Sequence, residues 1–355
     1  MATKLTKKFL SFSEVFIVPQ YSKIETRDDV DTSSLIGPLR LALPVISANM
    51  ISITDVGMAV AMAESGGFGI LPRFNTNEEA VADFIEATSR TTQPIGVSIG
   101  VQEVDQIRFK KLFIAGARVF CIDVAHGHHV KVKNMLSWIR KNYGFYRDGE
   151  WDKSSLDIPP IIIAGNVASY WGVRDLHTWG ADIIKVGVGP GSVCQTRRTT
   201  GVGVPQFGLL EDIDYQYKLL GLQAPPLISD GGIKYPSDVV KALIFSNAVM
   251  VGGIIAGTTE TPGHVYENEH GGLYKKFGGS ASGESKVANG GSNRFVEGHM
   301  TDVPFRGKVK YILQKIQEGL KSGMSYSGAN NISEFQECVI YGEMSSGGTL
   351  ESKLN

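Results

Sequence analysis

Short apolar runs rich in β-branched residues recur along the whole chain, and glycines sit mostly just behind them. The runs are Leu43–Ser47, Phe68–Leu71, Ile95–Ile99, Arg118–Asp123, Ile161–Ala164, Ile183–Val188, Pro226–Asp230 and Ala248–Gly252. Their hydrophobicity is continuous instead of alternating, which marks strands buried on both faces, as in a parallel sheet covered by helices. Between them, Asp55–Ser65 and Glu78–Arg90 carry apolar residues three and four apart, and His129–Asn142 does so less cleanly. Pro236-Ser237-Asp238 opens a further helix, with proline and short polar residues where a helix N-terminus takes them. Eight strands alternating with helices predict an α/β fold of the (β/α)8 TIM-barrel type. An open doubly wound sheet satisfies the same alternation, because alternation alone does not report closure.

At 355 residues the chain fits one catalytic barrel domain spanning 1–355, with room for loop insertions. A formal net charge of -1 leaves no basic field to draw nucleic acid, so an acidic substrate must be held by local features. No apolar run reaches the ~20 residues of a membrane span, and no secretory signal is visible. Cys121, Cys194 and Cys338 form neither a pairing framework nor a metal spacing, which suits a reducing compartment. The expectation is a cytoplasmic protein with no membrane or nucleic-acid partner. Two stretches break the rhythm. Thr258–Phe305 shows little apolar periodicity and many Gly, Ser, Glu and Asn residues, so it reads as a long structureless flap after the last strand. It falls on the face where barrels keep their active sites. Tyr143–Asp157 reads as a surface excursion.

The strongest local signal runs from Lys185 through Gly187-Val188-Gly189-Pro190-Gly191-Ser192 to Cys194, Thr196, Arg197 and Arg198. The glycines allow sharp turns and present amides and carbonyls to a ligand or ion. Arg197 and Arg198 would favour the thiolate, the reactive form of Cys194. The alternative is a Gly-rich turn around a packed cysteine, the role Cys121 and Cys338 suggest for themselves. Ser229-Asp230-Gly231-Gly232 ends the seventh strand and Gly252-Gly253 the eighth. A carboxylate suits paired ribose hydroxyls and bare glycine amides suit a phosphate, although Asp-Gly-Gly also makes a plain turn. After the fourth strand, His126, His128 and His129 lack the i, i+4 spacing of zinc hydrolases, which argues against a metal. Asp123 there reads as a hydrogen-bond acceptor at the barrel mouth or as a loop cap. Glu297, in Arg294-Phe295-Val296-Glu297-Gly298, is either a proton-handling carboxylate on a closing loop or a solvated charge.

Taken in order, these residues resemble one family, inosine-monophosphate dehydrogenase and guanosine-monophosphate reductase. The resemblance starts at Ser47-Ala48-Asn49-Met50 and runs through Asp123-Val124-Ala125-His126-Gly127, Ala164-Gly165-Asn166-Val167 and the cysteine loop. It continues through Gly201-Val202-Gly203-Val204-Pro205-Gln206, Ser229-Asp230-Gly231-Gly232 and Glu297-Gly298 with Val303-Pro304-Phe305-Arg306-Gly307. It closes at Ser322-Gly323-Met324-Ser325-Tyr326-Ser327-Gly328-Ala329. The resemblance implies that Cys194 bonds covalently to the purine C2 carbon, where a nicotinamide cofactor exchanges hydride, with Thr196 and Glu297 assisting. It implies that Asp230 binds the ribose and that Ser192, Gly232 and Gly253 receive the phosphate. Met50, Gly252, Gly278, Gly279 and Ser280 would complete the substrate side. Asp123, Ala125, Asn166, Ser322 and Tyr326 would lie on the cofactor side. The carbonyls of Gly189, Gly191 and Cys194 would offer a site to K+, and a homotetramer would bring Ser322–Ala329 to a neighbour's cofactor.

Within the family, Asn75–Pro94 is only long enough for a helix where the dehydrogenase usually carries regulatory CBS modules. The flap lacks the dehydrogenase's Arg-Tyr pair, since Phe295 follows Arg294. Both features resemble the reductase, which implies NADPH-dependent reductive deamination of GMP to IMP and ammonia. Pro72-Arg73-Phe74, Ile51 and Gly279 depart from the usual pattern, and Asp123–His128 with Ser322-Gly323-Met324 looks more like the dehydrogenase. The alternatives are a module-free dehydrogenase oxidising IMP to XMP with NAD+, and a non-catalytic barrel that binds a purine nucleotide.

Overall fold

The computed structural model describes residues 5, 7–147, 150–151, 158–279 and 298–354. Eight strands carry the fold: β1 Val45–Ser47, β2 Ile70–Leu71, β3 Gly96–Ile99, β4 Val119–Asp123, β5 Ile161–Val167, β6 Ile183–Val186, β7 Leu227–Asp230 and β8 Ala248–Val251. All eight expected runs become strands. They pair in parallel in the spatial order β1-β8-β7-β6-β5-β4-β3-β2. The two ends of that order meet through a parallel bridge between Ile46 and Phe68, with Ser47 N donating to Phe68 O at 3.0 Å and Phe68 N to Val45 O at 3.0 Å. This closes the sheet, so the open doubly wound alternative is excluded. Every residue of β1, β3, β6 and β8 is buried, which is why these strands read as unbroken apolar runs.

The helices begin at the ends of the strands, where the chain supplies caps. Asp55 caps α1 (Val56–Glu64) by accepting from Met58 N. Thr76 and Glu79 form a reciprocal capping box at α2 (Asn77–Arg90), the helix that fills the Asn75–Pro94 interval. Next come α3 (Glu103–Ile114), α4 (Val130–Tyr143, capped by His129) and α5 (Tyr170–Thr178, capped by Ser169). A single turn, α6 (Thr196–Thr200), follows the cysteine loop and precedes α7 (Gln206–Leu219). Then come α8 (Pro236–Ala242), with Pro236 in its first turn, and α9 (Val309–Tyr326). Among the described residues no helix is long and apolar enough to cross a membrane.

One expectation needs correction. Thr258–Phe305 is not structureless: β9 (Tyr266–Glu267), β10 (Leu273–Gly278) and β11 (Met300–Pro304) form a three-stranded antiparallel sheet. Its inward positions on β10 are Lys275 and Phe277. A lysine at a buried position hides the alternation by which a half-buried strand is recognised. The Lys275 ammonium is instead satisfied by three carbonyls, of Thr258 at 3.1 Å, Thr259 at 3.4 Å and Thr261. The Tyr143–Asp157 stretch contains a two-stranded hairpin, Tyr146–Arg147 with Glu150–Trp151.

Candidate active site

β6 reads Ile183-Ile184-Lys185-Val186, and Lys185 is only 2% exposed. A buried ammonium persists only if paired. Lys185 Nζ donates to Asp123 Oδ1 at 2.9 Å, at the end of β4, and to Asp230 Oδ2 at 2.8 Å, at the end of β7. Gly165 pairs with Lys185 across β5 and β6, and a Cβ there would lie 2.6 Å from Lys185 Cβ and 2.5 Å from its carbonyl oxygen. Glycine at 165 therefore makes the room Lys185 occupies. Asn166 Nδ2 donates to Asp230 Oδ2 at 2.8 Å and to Gly187 O at 2.7 Å, while its Oδ1 is buried with no partner. Burial pushes the Asp123 carboxyl up. The Lys185 ammonium, its hydrogen bond, the Arg73 guanidinium and a hydrogen bond from Asn49 outweigh that and hold it below its ordinary value. Burial likewise disfavours the Lys185 ammonium, yet the Asp123 and Asp230 carboxylates together raise its pKa. Cys121 is fully buried and its thiol is pushed up to about 12, chiefly by that burial, so it is an inert packed group.

From β6 the chain enters the cysteine loop. Gly187 adopts φ +146°, and a Cβ on it would lie 2.1 Å from Asp230 O, so the loop starts by passing directly over the end of β7. Cys194 is half-buried, its amide donates to Gly191 O at 3.1 Å, and its Sγ donates to Thr196 Oγ1 at 3.2 Å. Arg197 donates to Val204 O and packs over Gly189 and Gly203, bracing the loop from outside, and Arg198 is exposed.

Three glycines from two turns converge beside this loop. A Cβ on Gly253 would meet Ser192 Oγ at 2.8 Å, one on Gly231 would meet Gly191 N at 3.1 Å, and one on Gly232 would meet Pro190 Cβ at 3.5 Å. Bare backbone from the ends of β7 and β8 thus faces the Ser192 hydroxyl, with Met50 Sδ 3.9 Å from the Cβ position of Gly252. The root of the flap is stitched to the same loop: Gly279 N donates to His299 O at 3.2 Å, His299 N to Val193 O at 3.3 Å, and Gly298 bridges to Cys194. Gly278 is held by the Ser52 hydroxyl at 2.7 Å. Ser280 and Glu297 lie outside the described residues.

Part of this arrangement opens on a cavity of about 500 Å³, whose lining does not include Ser192, Gly231, Gly232, Gly252, Gly253 or Gly278. Met50, Gly189, Gly191, Cys194, Thr196 and Gly279 line it. Asp123, Ala125, Asn166, Lys185 and Asp230 line it as well. Ser322 and Tyr326 are elsewhere, on α9 in the outer helical layer. Tyr326 is 57% exposed and its hydroxyl accepts from Arg27 Nη2 at 3.2 Å. The histidine cluster is dispersed into packing roles, since His128 Nε2 meets Asp175 Oδ2 at 2.8 Å and His129 caps α4. Among the described residues no three His, Cys, Asp or Glu side chains are grouped to hold a metal. Sequence reasoning gave no site role to Lys185 and Asn49 and noted Arg73 and Phe74 only as departures from the family pattern, yet all four line the cavity. For Lys185 a signal was present: a charge inside an otherwise apolar strand requires a counter-charge from a neighbouring strand end.

Comparison with known proteins supplies an independent view. The family model described as IMP dehydrogenase / GMP reductase domain matches residues 9–355. A GMP reductase from Leptothrix cholodnii is 32% identical, covering 96% of this chain and 98% of its own length. An inosine-5'-monophosphate dehydrogenase from Cryptosporidium parvum is also 32% identical, covering 100% of this chain and 97% of its own. The crystal structure of a cysteine-to-alanine variant of GMP reductase from Trypanosoma brucei, in complex with guanosine 5'-monophosphate, superposes with a TM-score of 0.86 at 25% identity. That match covers 98% of this chain and 97% of the other.

Proposed function

The chain belongs to the IMP dehydrogenase / GMP reductase family of purine-nucleotide oxidoreductases, and from that premise we propose that it catalyses the reductive deamination of GMP to IMP. The balance is GMP, one hydride donor and one proton giving IMP, the oxidised donor and ammonia. The reading rests on one observation above the others: the Cys194 thiol lies 3.2 Å from the Thr196 hydroxyl, both opening on the cavity that holds Asp230. Cys194 Sγ adds to the purine C2 carbon, and the 2-amino group leaves as ammonia once it has gained a proton. Thr196 Oγ1 is placed to pass that proton between the sulfur and the leaving amine, and Glu297 in the flap would share the task by resemblance. A reduced nicotinamide dinucleotide, NADPH in this reading, supplies the hydride to C2 when bound. The C2–S bond then breaks and the thiolate is regenerated. The cofactor side fits such a group, since the buried and unpartnered Asn166 Oδ1 is an acceptor suited to a carboxamide N–H.

On the nucleotide side, Asp230 takes the ribose hydroxyls. Ser192 with the amides of Gly232 and Gly253 takes the phosphate, and Met50, Gly252, Gly278, Gly279 and Ser280 enclose the base. Gly191 O already accepts from the Cys194 amide, so a K+ at the carbonyls of Gly189, Gly191 and Cys194 would share that oxygen. A homotetramer would give Ser322 and Tyr326 their place beside a neighbour's cofactor. The Cryptosporidium parvum relative, as identical as the reductase and covering the whole chain, favours one competing reading, IMP oxidation with NAD+.

Nicotinamide absorbance separates the readings. The reductase consumes NADPH with GMP, the dehydrogenase produces NADH with IMP, and a non-catalytic nucleotide-binding barrel does neither. Cys194→Ala is expected to abolish turnover, by about 1,000-fold or more, while GMP still binds. Turnover at the wild-type rate in that variant would overturn the covalent route.

A further inference from the structure

We propose that Lys185 is a positioning residue that joins the nucleotide and cofactor halves of the cavity by holding Asp123 and Asp230 on one ammonium. The proposal rests on the reading that Asp230 faces the nucleotide and Asp123 the cofactor. Three observations carry it. The Nζ sits between the two carboxylates at 2.9 Å and 2.8 Å, so a shift of the ammonium toward one lengthens its bond to the other. Asn166 Nδ2 bonds the same Asp230 oxygen at 2.8 Å, and its own Oδ1 is buried without a partner. Gly165 gives up a side chain where any Cβ would strike Lys185. Glycine at 165 thus lets β5 run close against the backbone and Cβ of residue 185, where Lys185 lines the cavity.

The groups facing this ammonium are two carboxylates, the neutral Cys121 thiol, the Asn166 amide and, on the far side of Asp123, the Arg73 guanidinium, whose Nε donates to Asp123 O at 3.1 Å. Removing the lysine charge leaves two carboxylates close together with one guanidinium near one of them. Repulsion then favours protonating one carboxylate, and both lose the geometry their ligands need. A residue serving only the fold would affect stability. This one, if it couples the two halves, affects both ligands at once and moves the acid limb of their binding.

The test is equilibrium binding by calorimetry of GMP and, separately, of NADP+ to wild type, Lys185→Arg and Lys185→Met across a pH series. Lys185→Met is expected to weaken both ligands by about 10- to 100-fold and to shift the acid limb of binding to higher pH, as loss of a supporting outer partner does at other sites. Lys185→Arg should stay within about 3-fold for both, because it restores the charge. Should Lys185→Met not fold, Lys185→Met/Asp123→Asn removes the repulsion and is expected to fold with both affinities still weakened. Wild-type affinity for either ligand in a folded Lys185→Met or double variant overturns the proposal. A wild-type protein that binds no purine nucleotide overturns the functional reading instead, and the coupling role with it. Because turnover is not measured, an error about the direction of the reaction changes only the probes, IMP and NAD+ in place of GMP and NADP+.

Discussion

Two regions of the site are built from different materials. The region around the cysteine loop is backbone: Gly187, Gly231, Gly232 and Gly253 bring main chain from three strand ends together there. The other region is made of charged and amide side chains, Lys185, Asp123, Asn166 and Arg73, tied by hydrogen bonds to strand ends and to each other. The backbone-built side is sensitive to added atoms and indifferent to charge. The side-chain-built side tolerates small volume changes but depends on protonation. A phosphate and sugar need close approach to amides, whereas a redox cofactor needs oriented dipoles, so the roles proposed for the two regions match their materials.

The largest effect is expected on the backbone side. In Gly187→Ala the new Cβ would lie 2.1 Å from Asp230 O, with φ +146° already unfavourable, and a strand-end carbonyl cannot yield. Urea unfolding should show a loss of about 3 kcal/mol or more, or no soluble protein. Gly253→Ala meets only the Ser192 hydroxyl at 2.8 Å and then Ser192 Cβ at 3.6 Å, with no positive φ to strain. Since the hydroxyl can rotate away, stability should change by no more than about 1 kcal/mol while GMP affinity falls about 10-fold or more. If the two substitutions exchanged these outcomes, the phosphate site would have been placed on the wrong turn.

The other region should answer to pH. The folded-state pKa of Asp123 is depressed, so its contribution to stability is complete above the unfolded value of about 4 and is lost as pH falls through the lower folded value. The Lys185 pKa is raised, so its contribution is complete below the unfolded value of about 10.4 and is lost only as pH rises through the folded value. Between these limits the pair should be silent. The stability gap between wild type and Asp123→Asn, read by urea unfolding, should be constant near neutrality and shrink as the acid limit is crossed. A gap that does not change on acidification would mean that Asp123 is not held ionised by Lys185.

The same division explains what could be read from the chain before folding. All eight strand runs and the glycine turns were legible, because continuous apolar β-branched runs and Gly after them have few structural meanings. Cys194 and Asp230 stood out for the same reason, being polar residues where those runs end. Lys185 was quoted as part of the cysteine loop but given no role, because its partners lie 62 and 45 residues away in sequence and meet it only through strand order. The sheet β9–β11 was hidden by Lys275 at an inward position. Ser322 and Tyr326 rested on resemblance alone, and in a single chain they stay on the outer layer.

The smallest effect concerns the histidines, where a metal would add a third building material to the mouth of the barrel. His128 and Asp175 sit 2.8 Å apart with side chains 33% and 23% exposed, so solvent screens the pair. His128→Gln is therefore expected to change the free energy of unfolding by at most about 1 kcal/mol near neutral pH. Added zinc should leave the melting temperatures of wild type and variant alike, because His129 turns to its helix cap and Asp175 also meets Arg174 at 2.5 Å. A zinc-dependent rise in wild type that vanished in His128→Gln would put a cation at the mouth of the cavity, and the division between backbone and side-chain halves would have to be redrawn around it.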